Sequence, residues 1–215
     1  TAALQARRID GDLAELDAKV RLEGPAFDQV NLDVEVRADS HRAPDVVQAL
    51  MPHPVTVSGQ IRYGLSDSSV VVDSLRIADD HGVALTAKAD AALSPLAARG
   101  EAGLDLARLD RLAPVLGSLS PAGSGTLTVD NVTLDESLTV SGDARLILTD
   151  AALGLPQVDA VLGPRPDLTA RVAFDPAAGL SVTDLTLSGA LLSLSGAVSI
   201  PADFSTLEAD LSADL

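Results

Sequence analysis

Apolar and polar residues alternate one for one along most of this chain. That period of two leaves little room for anything but extended strands with unlike faces. Leu16, Ala18, Val20 and Leu22 fall on one side of such a strand, and Asp17, Lys19 and Arg21 on the other. Past Gly24-Pro25 the pattern resumes with Val30, Leu32, Val34 and Val36 against Asn31, Asp33, Glu35 and Arg37. It recurs at Val55/Val57, Val83/Leu85/Ala87/Ala89, Leu138/Val140, Ala144/Leu146/Leu148, Leu168/Ala170/Val172 and Leu192/Leu194. One apolar face and one charged or hydroxyl-bearing face are the mark of antiparallel strands with a single solvated side. The breaks at Asp79-Asp80-His81-Gly82, Asp130-Asn131, Ser141-Gly142 and Asp175 to Gly179 hold residues that tolerate turns or bulges. Links so short join neighbouring antiparallel strands; a parallel crossover needs a longer connection.

The apolar side is filled almost without rings. The chain is 47% hydrophobic but 2% aromatic, with Phe27, Tyr63, Phe174 and Phe204 as the whole set and no Trp. Closed cores draw much of their volume from aromatic side chains, so Leu, Val and Ala here suit a wide, thin apolar surface better than a deep centre. The formal charge of −16 repels a phosphate backbone and gives no electrostatic hold on an anionic lipid surface. Nucleic acid is therefore not an expected partner, and the acidity reads as a solvated outer face. With no cysteine there is no disulfide, thiol chemistry or thiolate metal site. No apolar run approaches the roughly 20 residues that span a bilayer. The chain starts at Thr1 and stops at Leu215 in mid-pattern, from which we expect a piece of a longer protein: one continuous sheet segment over 1–215.

Val72, Leu75 and Ile77 correspond to Val182, Leu185 and Leu187 at an offset of 110 residues (72 to 182). Val83 and Leu85 match Leu192 and Leu194, and Leu106 matches Leu215, at an offset of 109 (106 to 215). Such self-similarity signals a stacked, elongated architecture. Three stretches depart from the strand rhythm and predict short helical insertions: 44–51 (PDVVQALM), 104–116 (LDLARLDRLAPVL) and 156–162 (PQVDAVL). In the second, Leu109, Leu112, Val115 and Leu116 share a helical face, Pro114 limits its extension and Gly117 is placed to end it.

Catalytic constellations are lacking. His41 and His81 sit in turn-like settings and His53 lies between two prolines; Asp79 and Asp80 beside His81 do not complete a ligand set. There is no GxSxG, phosphate-binding glycine loop or HExxH. Gly123-Ser124-Gly125 reads as the flexible start of a strand, and Asn131-Val132-Thr133, which matches a glycosylation sequon, as a hairpin turn. The carboxylates are spread along polar strand faces, with no apolar pocket to push the pKa values of a pair apart. We expect no enzyme, no metal and no cofactor.

Four stretches carry a family resemblance: LDLARLDRLAPVLG (104–117), SGTLTVDNVTL (124–134), ARLILTDAALGLPQVDAVLG (144–163) and LSVTDLTLSGALLSLSGAVSIP (180–201). Together they resemble the periplasmic part of the TamB family, the inner-membrane subunit of the translocation and assembly module. That family is related to AsmA-like proteins and resembles the bridge-like lipid transfer proteins. The likeness covers about half the chain in detail and rests on loose patterns of Leu, Gly and Asp. It implies an all-β fold: a long, curved, mainly antiparallel sheet forming a U-shaped trough, the β-taco, with an apolar concave face. It also implies a periplasmic segment of a protein anchored in the inner membrane of a Gram-negative bacterium. The partners it implies are phospholipid acyl chains and, through regions outside this chain, a TamA-like outer-membrane barrel. The family supplies no catalytic residues.

About a dozen strands spaced at roughly 4.8 Å make a sheet on the order of 60 Å long. The alternation names the expected lining of its groove: Val20, Leu22, Val34, Val36, Val55, Val57, Val83, Leu85, Leu138, Val140, Leu146, Leu148, Leu192 and Leu194. The expected function is movement of phospholipids between inner and outer membranes, with a role in outer-membrane integrity and protein assembly. Two alternatives remain: a chaperone-like scaffold that holds outer-membrane-protein strands by β-augmentation, and an acidic extracellular β-solenoid or adhesin with a closed core.

Overall fold

A computed structural model describes residues 2–10, 14–23, 28–38, 55–113, 119–203 and 205–214. The chain is all-β, and its strands form one sheet in sequence order. They are β1 (Ala2–Asp10), β2 (Ala14–Glu23), β3 (Gln29–Ala38), β4 (Val55–Gly64), β5 (Ser69–Asp79), β6 (Val83–Leu93) and β7 (Leu96–Leu106). After them come β8 (Ala122–Leu134), β9 (Val140–Ala152), β10 (Asp167–Asp175), β11 (Gly179–Ser188), β12 (Ser193–Pro201) and β13 (Glu208–Asp214). Each of the 13 pairs antiparallel with its sequence neighbours, so the sheet is an unbroken meander, curved and unclosed.

Register carries the alternation of each strand onto the next, because directly opposed residues share a face. Val36, Val57, Ile77, Leu85, Leu104, Leu127, Leu146, Leu168, Leu187, Leu194 and Ala213 pair one after another across eleven strands, β3 to β13. A second row on the same face runs Val30, Tyr63, Val70, Ala91, Ala98, Leu134, Val140, Phe174, Leu180 and Ile200. Smaller residues lie between the rows, among them Gly59, Ala87, Ala102, Ala144 and Gly196. The opposite face carries the charges, tied across strands by pairs such as Arg62–Asp73, Lys88–Glu101, Arg145–Asp167 and Arg171–Asp143. The described residues form no second layer over the apolar face. Among the described residues Val83, Ala84, Leu109 and Ala170 are the buried hydrophobics.

The sheet bends where a strand gains a residue. Pairing shifts between Val72 and Leu75 in β5, between Val129 and Val132 in β8, and between Val182 and Leu185 in β11. The three sites are one hexapeptide pattern: VDSLRI (72–77), VDNVTL (129–134) and VTDLTL (182–187). In each, two consecutive polar residues sit exposed between apolar residues that turn inward. Asp73 and Asn131 bond to Arg62 and Asp143 on the charged face, which places the added length there. A face lengthened at intervals becomes the outer one, so the bulges bend the sheet toward its apolar side and make the trough. Asn131 and Asp184 adopt left-handed backbone (φ 52 and 51), which Asn and Asp tolerate better than most residues. The expected hairpin turn at Asn131 is therefore a bulge inside β8. Ser141-Gly142, also expected as a break, lies within β9 opposite that bulge. The period is three strands but does not extend back to β2, whose pairings are regular.

Antiparallel order sends alternate connections to opposite ends of the strands. At one rim the links are tight: 65–68, 94–95, 135–139 and 176–178. The other rim receives 80–82 and 189–192, and also the long connections that follow β7 and β9. Two of the three expected helical insertions belong to this insertion rim. Residues 44–51 lie outside the described residues. The expected helix at 104–116 starts late: Leu104 and Leu106 stay in β7, paired with Leu85 and Val83, because GEAGLDL keeps the period of two. A 3-10 helix follows over Leu109–Leu112. The third insertion is α1 (Pro156–Leu162), with Pro at its start and Gly163 after its end.

Candidate functional site

The candidate site is the uncovered apolar face. Val36, Val57, Leu85, Val140, Leu146 and Leu194 stand in its rows, Val34 lies between them opposite Gly59, and Val55, Val83 and Leu148 continue it toward the insertion rim. Val20 and Leu22 share its register through their partners Leu32 and Val30. Two expected lining residues are not strand residues. Leu138 lies in the turn before β9, with φ 62 and 53% exposure, because Asp135 pulls this segment into a tight turn with bonds from Ser137 N and Thr139 N. Leu192 directly precedes β12, where its carbonyl accepts from Gly189 N and closes the β11–β12 turn.

The expected set omitted six of the eleven residues in the longest row: Ile77, Leu104, Leu127, Leu168, Leu187 and Ala213. Each has the parity of a neighbour that was included, so pairing successive strands on paper would have found them. It also omitted one charged group with apolar parity. Asp79 lies opposite Val55, two residues beyond Ile77. Its Oδ1 accepts from His81 N (2.9 Å) and Val83 N (2.8 Å), and its Oδ2 from Arg111 (2.5 Å) on the 3-10 helix. Burial pushes the Asp79 carboxyl upward, but those backbone donors and the Arg111 guanidinium outweigh it and hold the pKa below the ordinary value.

Electrostatics separate the faces as sharply as hydropathy does. The hollows of the charged face, about 420 to 530 Å³, are open wells between side chains such as Lys88, Glu101, Thr128 and Asp130, or Asp33, Glu35 and Gln60. They hold no arrangement of nucleophile and base. Among the described residues no three His, Asp or Glu come together in a way that could hold a metal ion. At the turn rim, Asp67, Asp135, Asp175 and Asp203 spend an oxygen on the backbone N–H of the residue two further on. These carboxylates shape turns.

The geometry offers a long, non-directional apolar surface. No protein-family model, curated protein or solved structure matches the chain.

Proposed function

We propose that this chain is a stretch of a periplasmic, TamB-like hydrophobic conduit that moves phospholipids between the inner and outer membranes. On this reading the protein serves outer-membrane integrity and protein assembly, and meets a TamA-like barrel through regions beyond this chain. One observation carries the reading: an apolar face continuous through eleven paired strands, β3 to β13, over which the described residues lay no second layer beyond a short 3-10 helix at one margin. An apolar area of this extent is unfavourable in water unless something covers it. Acyl chains fit because they need no polar contact, and each gains about 25 cal/mol per Å² removed from water. Small residues between the rows leave room for them, and the lack of polar groups lets them slide. No residue is assigned a catalytic role.

A second reading is a scaffold that holds outer-membrane-protein strands against the same apolar face, where Ala209, Leu211 and Ala213 are exposed. The test is mass spectrometry of small molecules that copurify with the folded chain, alongside titration with a fluorescent phospholipid. Bound phospholipid and saturable uptake support the conduit. An intact β-sheet signal with uptake at background would reject it in favour of the scaffold.

A further inference from the structure

Among the described residues, the 3-10 helix lies against the apolar face at one margin. Leaving β7, the chain turns back over the margin of the sheet, with Ala107 N donating to Gly82 O at 2.8 Å. The 3-10 helix then sets Leu109 down, 4% exposed, beside Gly125. Leu109 Cδ2 lies 3.3 Å, and Leu148 Cδ2 2.8 Å, from the point a Cβ on Gly125 would occupy. Glycine at 125 is thus the seat of Leu109. Val83 in this neighbourhood is 4% exposed, whereas Val140 in the row nearer the turn rim is 38% exposed. The far side of the helix is fastened by Arg111 to Asp79, whose side chain has no exposed surface. A carboxylate on the apolar side of a sheet is costly unless fully partnered. Asp79 has three donors, and the third comes from the helix.

We propose that this 3-10 helix is a latch that roofs the insertion-rim margin of the groove between β6 and β9, and that it confines a passing acyl chain to the rows nearer the turn rim. The confinement rests on the lipid reading above. Contact area is what an acyl chain gains from the groove, and at this margin Leu109 already occupies it. The open path runs over Ala98, Leu134, Val140 and Phe174. Leu109, Arg111 and Asp79 act as positioning residues: they decide where in the groove cargo lies.

Because the chain has no cysteine, a single introduced thiol reports on cover. Maleimide should label Val83→Cys at least tenfold more slowly than Val140→Cys, and adding Arg111→Ala should raise the rate at position 83 at least fivefold. Gly125→Val, which fills the seat of Leu109 and leaves the ion pair in place, should do the same if Arg111→Ala proves too unstable to study. A diazirine-bearing phospholipid should form adducts around Leu134, Val140 and Phe174 in the unaltered chain, and at Leu106 and Leu148 once the latch is released. Equal labelling at 83 and 140 in the otherwise unaltered chain overturns the latch, whatever the cargo. Adducts at Leu148 as abundant as those at Val140 before release overturn the confinement. No adduct anywhere overturns the lipid reading and the confinement with it, while the labelling ratio still decides whether the helix is a cover.

Discussion

The two rims of the sheet solve the same problem, returning the chain to the next strand, by opposite means. At the turn rim each reversal is local. Asp135 serves Ser137 and Thr139, and Asp203 serves Ser205, so the groups that shape a turn lie within four residues of one another. At the insertion rim the decisive bond joins Arg111 to Asp79, 32 residues apart, and the helix it fastens covers part of the apolar face. The first kind of rim adds strands and nothing else. The second adds cover, and so can treat one part of the groove differently from another.

The sharpest way to break this comparison is to remove one aspartate from each rim. Asp79→Ala removes the hydrogen bonds that its carboxylate accepts from Arg111, Val83 N and His81 N and should cost about 3–5 kcal/mol in urea unfolding. Asp135→Ala, whose carboxylate is solvated, should cost clearly less; equal losses would erase the distinction between the rims.

Next in size is the groove itself. Leu194→Arg sets a charge into the long apolar row and should weaken phospholipid binding by about 2–4 kcal/mol, by analogy with the lipid-facing side of a membrane barrel. The fold should survive, because the long side chain can reach water at the mouth of an open trough. Ser193→Arg, on the charged face, should bind lipid normally, and matched losses in a titration would mean that the groove is not one-sided.

The bulges come third. Asn131→Val forces a β-branched residue into left-handed backbone and should cost about 1–2 kcal/mol, while Asn131→Gly should be close to neutral. If both unfold at the same urea concentration, the bulge does not need that backbone conformation.

Acid should act on both rims. Asp79 and Asp135 have carboxyl pKa values lowered from 3.8, the second chiefly by its bond from the Ser137 hydroxyl. A carboxylate with a lower pKa folded than unfolded contributes stability above the unfolded value and loses it as pH falls through the folded one. Stability should therefore be flat above about pH 5 and fall below about pH 4. The fall should be shallower in Asp79→Ala, and an identical slope would remove Asp79 from the acid response. The smallest effect is expected from Lys88→Met on the solvated face, where losing the pair with Glu101 should leave the unfolding midpoint unchanged within error.

Sheet, face and strand order were legible because alternation is a local signal, and pairing with sequence neighbours needs no long-range information. Leu138 misled because its spacing from Val140 fits a strand, whereas Asp135, three residues earlier, holds the segment in a turn. Leu104 misled in the other direction: LDLARLDRL has helical spacing, yet its first three residues belong to a strand fixed by Leu85 and Leu127. Asp79 was visible as part of a turn. Its partner was not, since nothing local in the sequence ties it to Arg111. The hexapeptide at 129–134 stayed hidden although its two relatives were found. β5 and β11 run in one direction and β8 in the other, so the sequence repeats most plainly after six strands, at the offset of 110.

That meander also sets a rule of inheritance. Inserting or deleting a single strand would swap the rims for everything that follows, sending each later insertion to the turn side and turning each later strand around. A hairpin can come or go without that penalty. Chains of this design should therefore differ in length by even numbers of strands, and the six-strand unit is the shortest step that also keeps the bulges in phase.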